Sequence, residues 1–241
     1  MKTCIVIPAR MASTRLPGKP LADICGVPMV LRVAMAARNA GLGEPLIAAG
    51  DAEIHSCASQ AGYRSVLTPA SLPSGTDRVQ AALKLANMAD DIDCVVNLQG
   101  DMPNINPDCI RQAVAVLQQI TSADIATLVA LSEPQTTSQN PDVVKAVLTP
   151  VTSVSPKPET QLFRALYFSR AAVPTGQGPH YQHIGIYAYR REALRKFTNL
   201  PPAPLEQREK LEQLRALENG MQIVAALVDQ VPLAVDSPAD L

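Results

Sequence analysis

From Pro8 to Pro20 the chain reads Pro-Ala-Arg-Met-Ala-Ser-Thr-Arg-Leu-Pro-Gly-Lys-Pro, directly after the apolar run Ile5-Val6-Ile7. Arg10, Arg15 and Lys19 bring positive charge, Ser13 and Thr14 bring hydroxyls, and Gly18 lets backbone approach a ligand closely. Backbone N–H groups at a strand end, joined by guanidinium and ammonium groups, are what a chain of phosphates needs. The pattern GxxxxGK[ST] is absent, so this is not a Walker A loop. A solvated basic loop is the alternative, and Pro8, Pro17 and Pro20, which stiffen the segment, weigh against it.

Carboxylates follow at two other places. Asp101 lies in Gln99-Gly100-Asp101, after the apolar run ending at Leu98. A carboxylate at the end of a buried strand can hold Mg²⁺ against phosphates, or it can only cap a turn. Asp236 follows Val235 and precedes Ser237-Pro238, so it is either a second metal ligand or the start of a helix. Ser74-Gly75-Thr76-Asp77-Arg78 opens a helix whose amides, hydroxyls and guanidinium suit a base edge or a phosphate. A capped helix with a surface arginine is the plainer account of that stretch.

The second half carries a mixed polar set. Arg170 follows Tyr167-Phe168-Ser169, and His183, Gly185 and Tyr187 alternate with Ile184 and Ile186, which puts them on one strand face. Glu209 and Gln213 are spaced to share a helix face, with Leu211, Leu214 and Leu217 on the buried side. Such variety suits a polyhydroxylated acid. For His183 alone, a core or surface histidine competes with that role.

These residues need a frame. Residues 4–8, Pro45–Ala49, Ser65–Thr68, Asp93–Leu98 and Asp124–Leu131 read as strands. Pro28–Ala40, Asp51–Ala61, Ser74–Met88 and Pro107–Ile120 read as the helices between them, with Gly41 and Gly62 as stops. That alternation predicts an α/β fold with a mainly parallel sheet, which binds ligands at the carboxyl ends of its strands. Pro134, Pro141, Pro150, Pro156 and Pro158 then punctuate a Ser/Thr/Gln-rich excursion over 132–160 around one strand, Val143–Leu148. Leu162–Tyr167 and His183–Tyr189 are further strands, Leu205–Glu218 a helix, and Met221–Val228 a closing strand.

Length and composition narrow the class. The 241 residues suffice for one large domain or a domain with a lobe. A net charge of −1 argues against a broad nucleic-acid or anionic-membrane surface. Cys4, Cys25, Cys57, Cys94 and Cys109 form no CxxC pair and no zinc-like spacing, so reduced thiols are expected, Cys4 and Cys94 as small buried hydrophobes. A strand that begins almost at once leaves no room for a signal peptide, and no apolar run suits a membrane span, so a cytoplasmic protein is expected.

The motifs at Pro8–Pro20, Ser74–Arg78, Gln99–Asp101, Tyr167–Arg170 and His183-x-Gly185-Ile186-Tyr187, with Leu211-Glu212-Gln213-Leu214-Arg215, occur in one order. Together they resemble the 3-deoxy-manno-octulosonate cytidylyltransferase (CMP-Kdo synthetase) family. Sialic-acid relatives share a similar loop but not the Ala12-Ser13-Thr14-Arg15-Leu16 wording.

The resemblance implies a Rossmann-like nucleotidyltransferase with a mixed, mainly parallel sheet. It also implies a smaller lobe, about 132–190, serving the sugar site and the interface of a homodimer. The implied reaction joins CTP and Kdo into CMP-Kdo and pyrophosphate for lipopolysaccharide assembly. Arg10 and Lys19, with the backbone from Ala9 to Ser13, would bind the CTP phosphates, and Ser74, Arg78 and Gln99 would border the nucleotide. Asp101 and Asp236 would hold Mg²⁺ and, with Arg10 and Lys19, carry catalysis. Arg170 would face the sugar carboxylate, with His183, Tyr187, Glu209 and Gln213 around the sugar.

Three departures stand out. Met102 takes a place where the family usually has an acid, and Gly50 one where it usually has a hydroxyl. The chain also stops at Leu241, before the family's terminal helix. The same chemistry on an 8-amino octulosonate is the near alternative, and a catalytically weak nucleotide-binding homologue is the distant one.

Overall fold

A computed structural model of the chain describes residues 1–13, 16–88, 91–132, 140–151 and 161–241. Thr14, Arg15, Pro134, Pro156 and Pro158, which entered the expectations above, lie outside the described residues. The chain forms two compact units, residues 1–111 with 232–241, and residues 112–231.

The first unit begins with β1 (Thr3–Ala9). A small hairpin of β2 (Asp23–Ile24) and β3 (Val27–Pro28) turns at Cys25-Gly26. The chain then alternates through α1 (Met29–Asn39), β4 (Leu46–Ala49), α2 (Ala52–Gln60), β5 (Arg64–Leu67), α3 (Gly75–Leu85) and β6 (Cys94–Leu98). β1 lies between β4 and β6, and β5 lies outside β4, with every pairing parallel. Parallel strands covered on both faces must be apolar throughout, because neither side meets water. β1, β4 and β6 obey this: Val6, Ile7, Leu46, Ile47, Val95 and Val96 are wholly buried.

The carboxyl ends of β1, β4 and β6 therefore sit side by side, with Ala9 paired to Ala49. The stretch after residue 231 returns to this edge. Val235 N–H donates to the Asp101 carbonyl at 2.9 Å, and Leu233 N–H donates to Asn104 Oδ1 at 3.0 Å. Those bonds deliver Asp236 to the loop after β6.

α4 (Pro107–Gln119) carries the chain into the second unit. There β7 (Ile125–Ser132), β8 (Lys145–Pro150), β9 (Leu162–Ser169) and β10 (His180–Arg190) precede α5 (Arg191–Asn199). α6 (Pro204–Glu209), α7 (Gln213–Glu218) and β11 (Ile223–Val228) complete it. The strand order is β10-β7-β11-β9-β8, and β8 also pairs with β10, so the run closes on itself. Among the described residues of this run β7 pairs with β11 in parallel, and β10 with β7, β10 with β8, β11 with β9 and β8 with β9 are antiparallel. The expected lobe over 132–190 falls inside this larger unit. Among the described residues no helix is long and apolar enough to cross a membrane.

The single helix expected over Leu205–Glu218 is a correction. Lys210 takes a left-handed conformation, φ 57°, which ends α6, and α7 starts only at Gln213. A left-handed residue cannot continue a right-handed helix. Two contacts hold the pair folded back. Arg215 forms a two-pronged bond to the Glu206 carboxylate at 2.8 and 2.5 Å, and Glu218 accepts from the Leu205 N–H at 3.0 Å. Glu209 and Gln213 therefore do not share one helix face. α5 was not foreseen, although Ala193, Leu194 and Phe197, its buried apolar residues, have helical spacing.

Candidate functional site

The loop after β1 is tied down by neighbouring strand ends. Gly50 N–H donates to the Ala9 carbonyl at 2.8 Å, and Met11 N–H donates to Asp51 Oδ2 at 2.7 Å. Gly18, at φ 72°, turns the chain into a short 3-10 turn over Lys19–Leu21. Only glycine takes that conformation without a Cβ penalty. Gly100 meets the loop from the other side, and a Cβ there would lie 3.2 Å from the Pro8 carbonyl oxygen.

These approaches frame a cavity of about 420 Å³, and all the residues expected around a nucleotide line it. Ala9, Arg10 and Ser13 come from the first loop, Lys19 from the 3-10 turn, Ser74 and Arg78 from the start of α3. Gln99 and Asp101 come from the end of β6, and Asp236 from the returning segment. Arg10 and Lys19 both line it, and the carboxylates of Asp101 and Asp236 meet at the Lys19 ammonium. Lys19 Nζ lies 2.9 Å from Asp101 Oδ2 and 2.9 Å from Asp236 Oδ1. Burial would lower the Lys19 pKa, but the Asp101 charge and the hydrogen bonds to both carboxylates hold it above its usual value. The ammonium is a cation fixed between two carboxylates.

Those carboxylates fit a hard divalent cation. Their donors are oxygens only, they converge on one point, and Asp101 and Asp236 side chains keep 32% and 42% exposure. Mg²⁺ is ordinarily held by one or two carboxylates plus substrate phosphates. Among the described residues no cluster of three metal-ligating side chains exists, so phosphates and waters would supply the remaining donors. Met102, next to Asp101 in sequence, is buried at 4% exposure and does not line the cavity.

Ser74 and Arg78 have structural duties as well. Ser74 Oγ caps α3 by accepting from the Asp77 N–H at 3.2 Å, so the plainer account of this serine holds alongside its place in the wall. Arg78 is not on the surface. It is buried, and its Nη1 donates to Thr68 Oγ1 at 2.5 Å and to the Pro69 carbonyl at 3.2 Å. Burial lowers its pKa, as does the neighbouring Arg10 charge, and Asp51 opposes them. The Gly50 departure belongs here: a Cβ at that position would lie 2.9 Å from Arg78 Nη1. Glycine leaves the guanidinium its place. Gln99 is oriented through Asn97, to which its Nε2 donates at 3.1 Å, and Asn97 donates to Thr76 at 3.2 Å.

In the second unit four of the five expected sugar residues form two pairs, and Gln213 stands apart from both. Arg170 and Glu209 are locked together: Arg170 N–H donates to Glu209 Oε2 at 3.0 Å, and Arg170 Nε donates to the Glu209 carbonyl at 3.1 Å. Ser169 Oγ adds a bond to Glu209 Oε1 at 2.8 Å. Burial would raise the Glu209 carboxyl, but the bonds from Arg170, Ser169 and Tyr167 outweigh it and hold the pKa below its usual value. His183 and Tyr187 form the other pair, with ring centroids 5.4 Å apart. Their alternation survives a bulge in which Gly185 and Ile186 have no register partner on β7, because two extra residues restore the parity. Phe168 packs edge-on against His183 at 4.9 Å, while its neighbours Tyr167 and Ser169 hold Glu209, so the pairs are adjacent along β9. Gln213 is buried, and its Nε2 has no hydrogen-bond partner among the described residues.

Residues unmarked by the sequence reading support this region. Lys145 is fully buried, and its ammonium donates to the carbonyls of Asn140, Val143 and Arg170 at 2.9, 2.7 and 2.5 Å. Burial lowers its pKa, helped by Arg170 and opposed by Glu209. A lysine inside an otherwise apolar strand was the available signal. Thr127, buried on β7, bonds His183 Nε2 at 2.9 Å. Nothing in its strand sequence marks it out.

Known proteins match over nearly the whole chain. The family described as Cytidylyltransferase matches residues 4–223. A 3-deoxy-manno-octulosonate cytidylyltransferase of Parvibaculum lavamentivorans is 53% identical over 237 residues, covering 98% of this chain and 89% of that protein. Its counterpart from Paramagnetospirillum magneticum is 51% identical over 237 residues, covering 98% and 94%. A solved CMP:2-keto-3-deoxy-manno-octonic acid synthetase complexed with CTP superposes with a TM-score of 0.87 at 34% identity, covering 99% of this chain and 95% of that one.

Proposed function

From the chain's membership of the 3-deoxy-manno-octulosonate cytidylyltransferase family, we propose that it joins CTP to Kdo, giving CMP-Kdo and pyrophosphate. The observation that carries the reading is the cavity at the carboxyl ends of β1 and β6. Arg10 lines it together with Lys19, whose ammonium is held between the converging carboxylates of Asp101 and Asp236. That is a site for a triphosphate with its counter-cation, and the relative solved with CTP supports cytidine as the nucleoside.

The chemistry asks for alignment more than for covalent help. The anomeric hydroxyl of the sugar acid attacks the α-phosphorus and gives its proton to solvent, the bond from that phosphorus to the bridging β-phosphate oxygen breaks, and pyrophosphate leaves in line. Arg10 and Lys19 neutralise the charge that grows on the phosphate oxygens. Lys19 spends two of its three ammonium N–H groups on its carboxylates and keeps one for a phosphate oxygen, and Asp101 and Asp236 would hold Mg²⁺ through their remaining oxygens. When bound there, Mg²⁺ would supply charge neutralisation and an acidified hydroxyl. In the second unit, the guanidinium of Arg170 suits the sugar carboxylate, and His183, Tyr187, Glu209 and Gln213 suit its hydroxyls.

Dependence on Mg²⁺, use of the product in lipopolysaccharide assembly, a cytoplasmic setting and a homodimer belong to the same proposal. Pyrophosphate release tests it: release should require CTP, Mg²⁺ and Kdo together. Release with another nucleoside triphosphate in place of CTP, or with no dependence on the sugar acid, contradicts it. Sedimentation at the working concentration reports the dimer separately.

A further inference from the structure

The Thr127 hydroxyl sits among three polar atoms. His183 Nε2 lies at 2.9 Å, the Ile186 carbonyl oxygen at 2.7 Å and the Ile184 carbonyl oxygen at 3.2 Å. A threonine hydroxyl has one proton to give and lone pairs to receive with. The carbonyls cannot donate, so the hydroxyl proton must point to them, or two oxygens would face each other at 2.7 Å with no proton between. The oxygen then has only lone pairs for the imidazole, and Nε2 must carry a hydrogen. The bulge in β10 makes this possible, because its unpaired Gly185 and Ile186 bring two carbonyls of one strand onto the same side chain.

We infer that Thr127 is a positioning residue that fixes His183 as the Nε2–H tautomer, so that the ring offers the sugar acid only the lone pair of Nδ1. The inference rests on the sugar-site reading of His183 proposed above. Phe168 and Tyr187 rings flank the imidazole at 4.9 and 5.4 Å, which holds the ring plane. Among the described residues the ring's hydrogen bonding is confined to Thr127, and Nδ1 is not among the sealed atoms without a partner. Burial pushes the His183 pKa down to about 3, so the ring stays neutral in ordinary buffers. A neutral ring with a free lone pair accepts from a hydroxyl or an ammonium and repels a carboxylate. His183 therefore reads a hydroxyl of the sugar acid, and the acid's carboxylate goes to a cation such as Arg170.

The test has a spectroscopic and a kinetic arm. Long-range proton–nitrogen correlation spectra of the histidine rings, with His183→Gln to assign the signal, should show a pyrrole-type Nε2 and a pyridine-type Nδ1. Thr127→Val keeps the side-chain shape and removes the acceptor. It should mix or reverse the tautomer and raise KM for the sugar acid about tenfold, the scale of one lost hydrogen bond, with KM for CTP unchanged. Thr127→Ser should restore both. A protonated Nδ1 or an imidazolium in the unaltered protein overturns the inference, as does a shifted tautomer with an unchanged KM for the sugar acid. If the sugar reading itself is wrong, the unaltered protein turns over no sugar acid while its tautomer stays as described.

Discussion

The ammonium of Lys19 lies 2.9 Å from a carboxylate oxygen of Asp101, a residue 82 positions away in sequence. Asp236, 217 positions from Lys19, meets the same ammonium. This triad joins the loop after β1, the end of β6 and the returning segment, so phosphates and a divalent cation would compete for its members. Asp101→Asn should slow turnover by roughly 10²–10³, the cost of losing one preorganised electrostatic contact. Near-normal turnover in saturating Mg²⁺ would remove Asp101 from the mechanism.

The buried pair of Arg215 with Glu206 holds α6 against α7. The side chains are 6% and 10% exposed. Arg215→Met leaves the Glu206 carboxylate without its cation and should destabilise the fold by about 3–5 kcal/mol. Denaturant unfolding checks this, and a loss below about 1 kcal/mol on the surface-pair scale would show the pair to be dispensable.

Glu209 gives the second unit an acid-side weakness. Its folded pKa is below the usual 4.5, so the native state binds protons less readily there than the unfolded chain. The stabilisation is therefore present above 4.5 and fades as the pH falls through the lowered folded value. Glu209→Gln should flatten the stability profile below 4.5 and leave its neutral-to-alkaline shape unchanged. An unaltered acid limb in the variant would contradict the assignment.

His183 should not titrate where histidines usually do. With its pKa near 3, KM for the sugar acid should show no inflection around 6.5 from this residue. An inflection there that His183→Gln abolishes would mean the ring charges in the folded protein.

Most of the first unit was legible in the chain because its physics is local. A parallel strand buried on both faces must be apolar along its length, and β1, β4 and β6 announce themselves so. Pro8 and Gly100 mark the ends of β1 and β6, Gly18 starts the 3-10 turn and Ser74 caps α3, which is why the residues expected around a nucleotide line one cavity. The second unit was harder because its determinants are distant contacts. The break at Lys210 depends on Arg215 and Glu218 reaching back to α6, and helical periodicity carries straight across it. Thr127 and Lys145 matter through partners on other strands, which no spacing rule reveals. Arg78 was read with a surface place as its plainer account, and its burial follows from Thr68 on a neighbouring strand end.

The most direct measurement offers the protein CTP, Mg²⁺ and equal amounts of Kdo, its 8-amino analogue and a sialic acid, and identifies the nucleotide sugar by mass. CMP-Kdo as the dominant product, with pyrophosphate in equal amount, is the predicted result. CMP-sialate as the dominant product, or CTP consumed with no nucleotide sugar formed, would contradict the account.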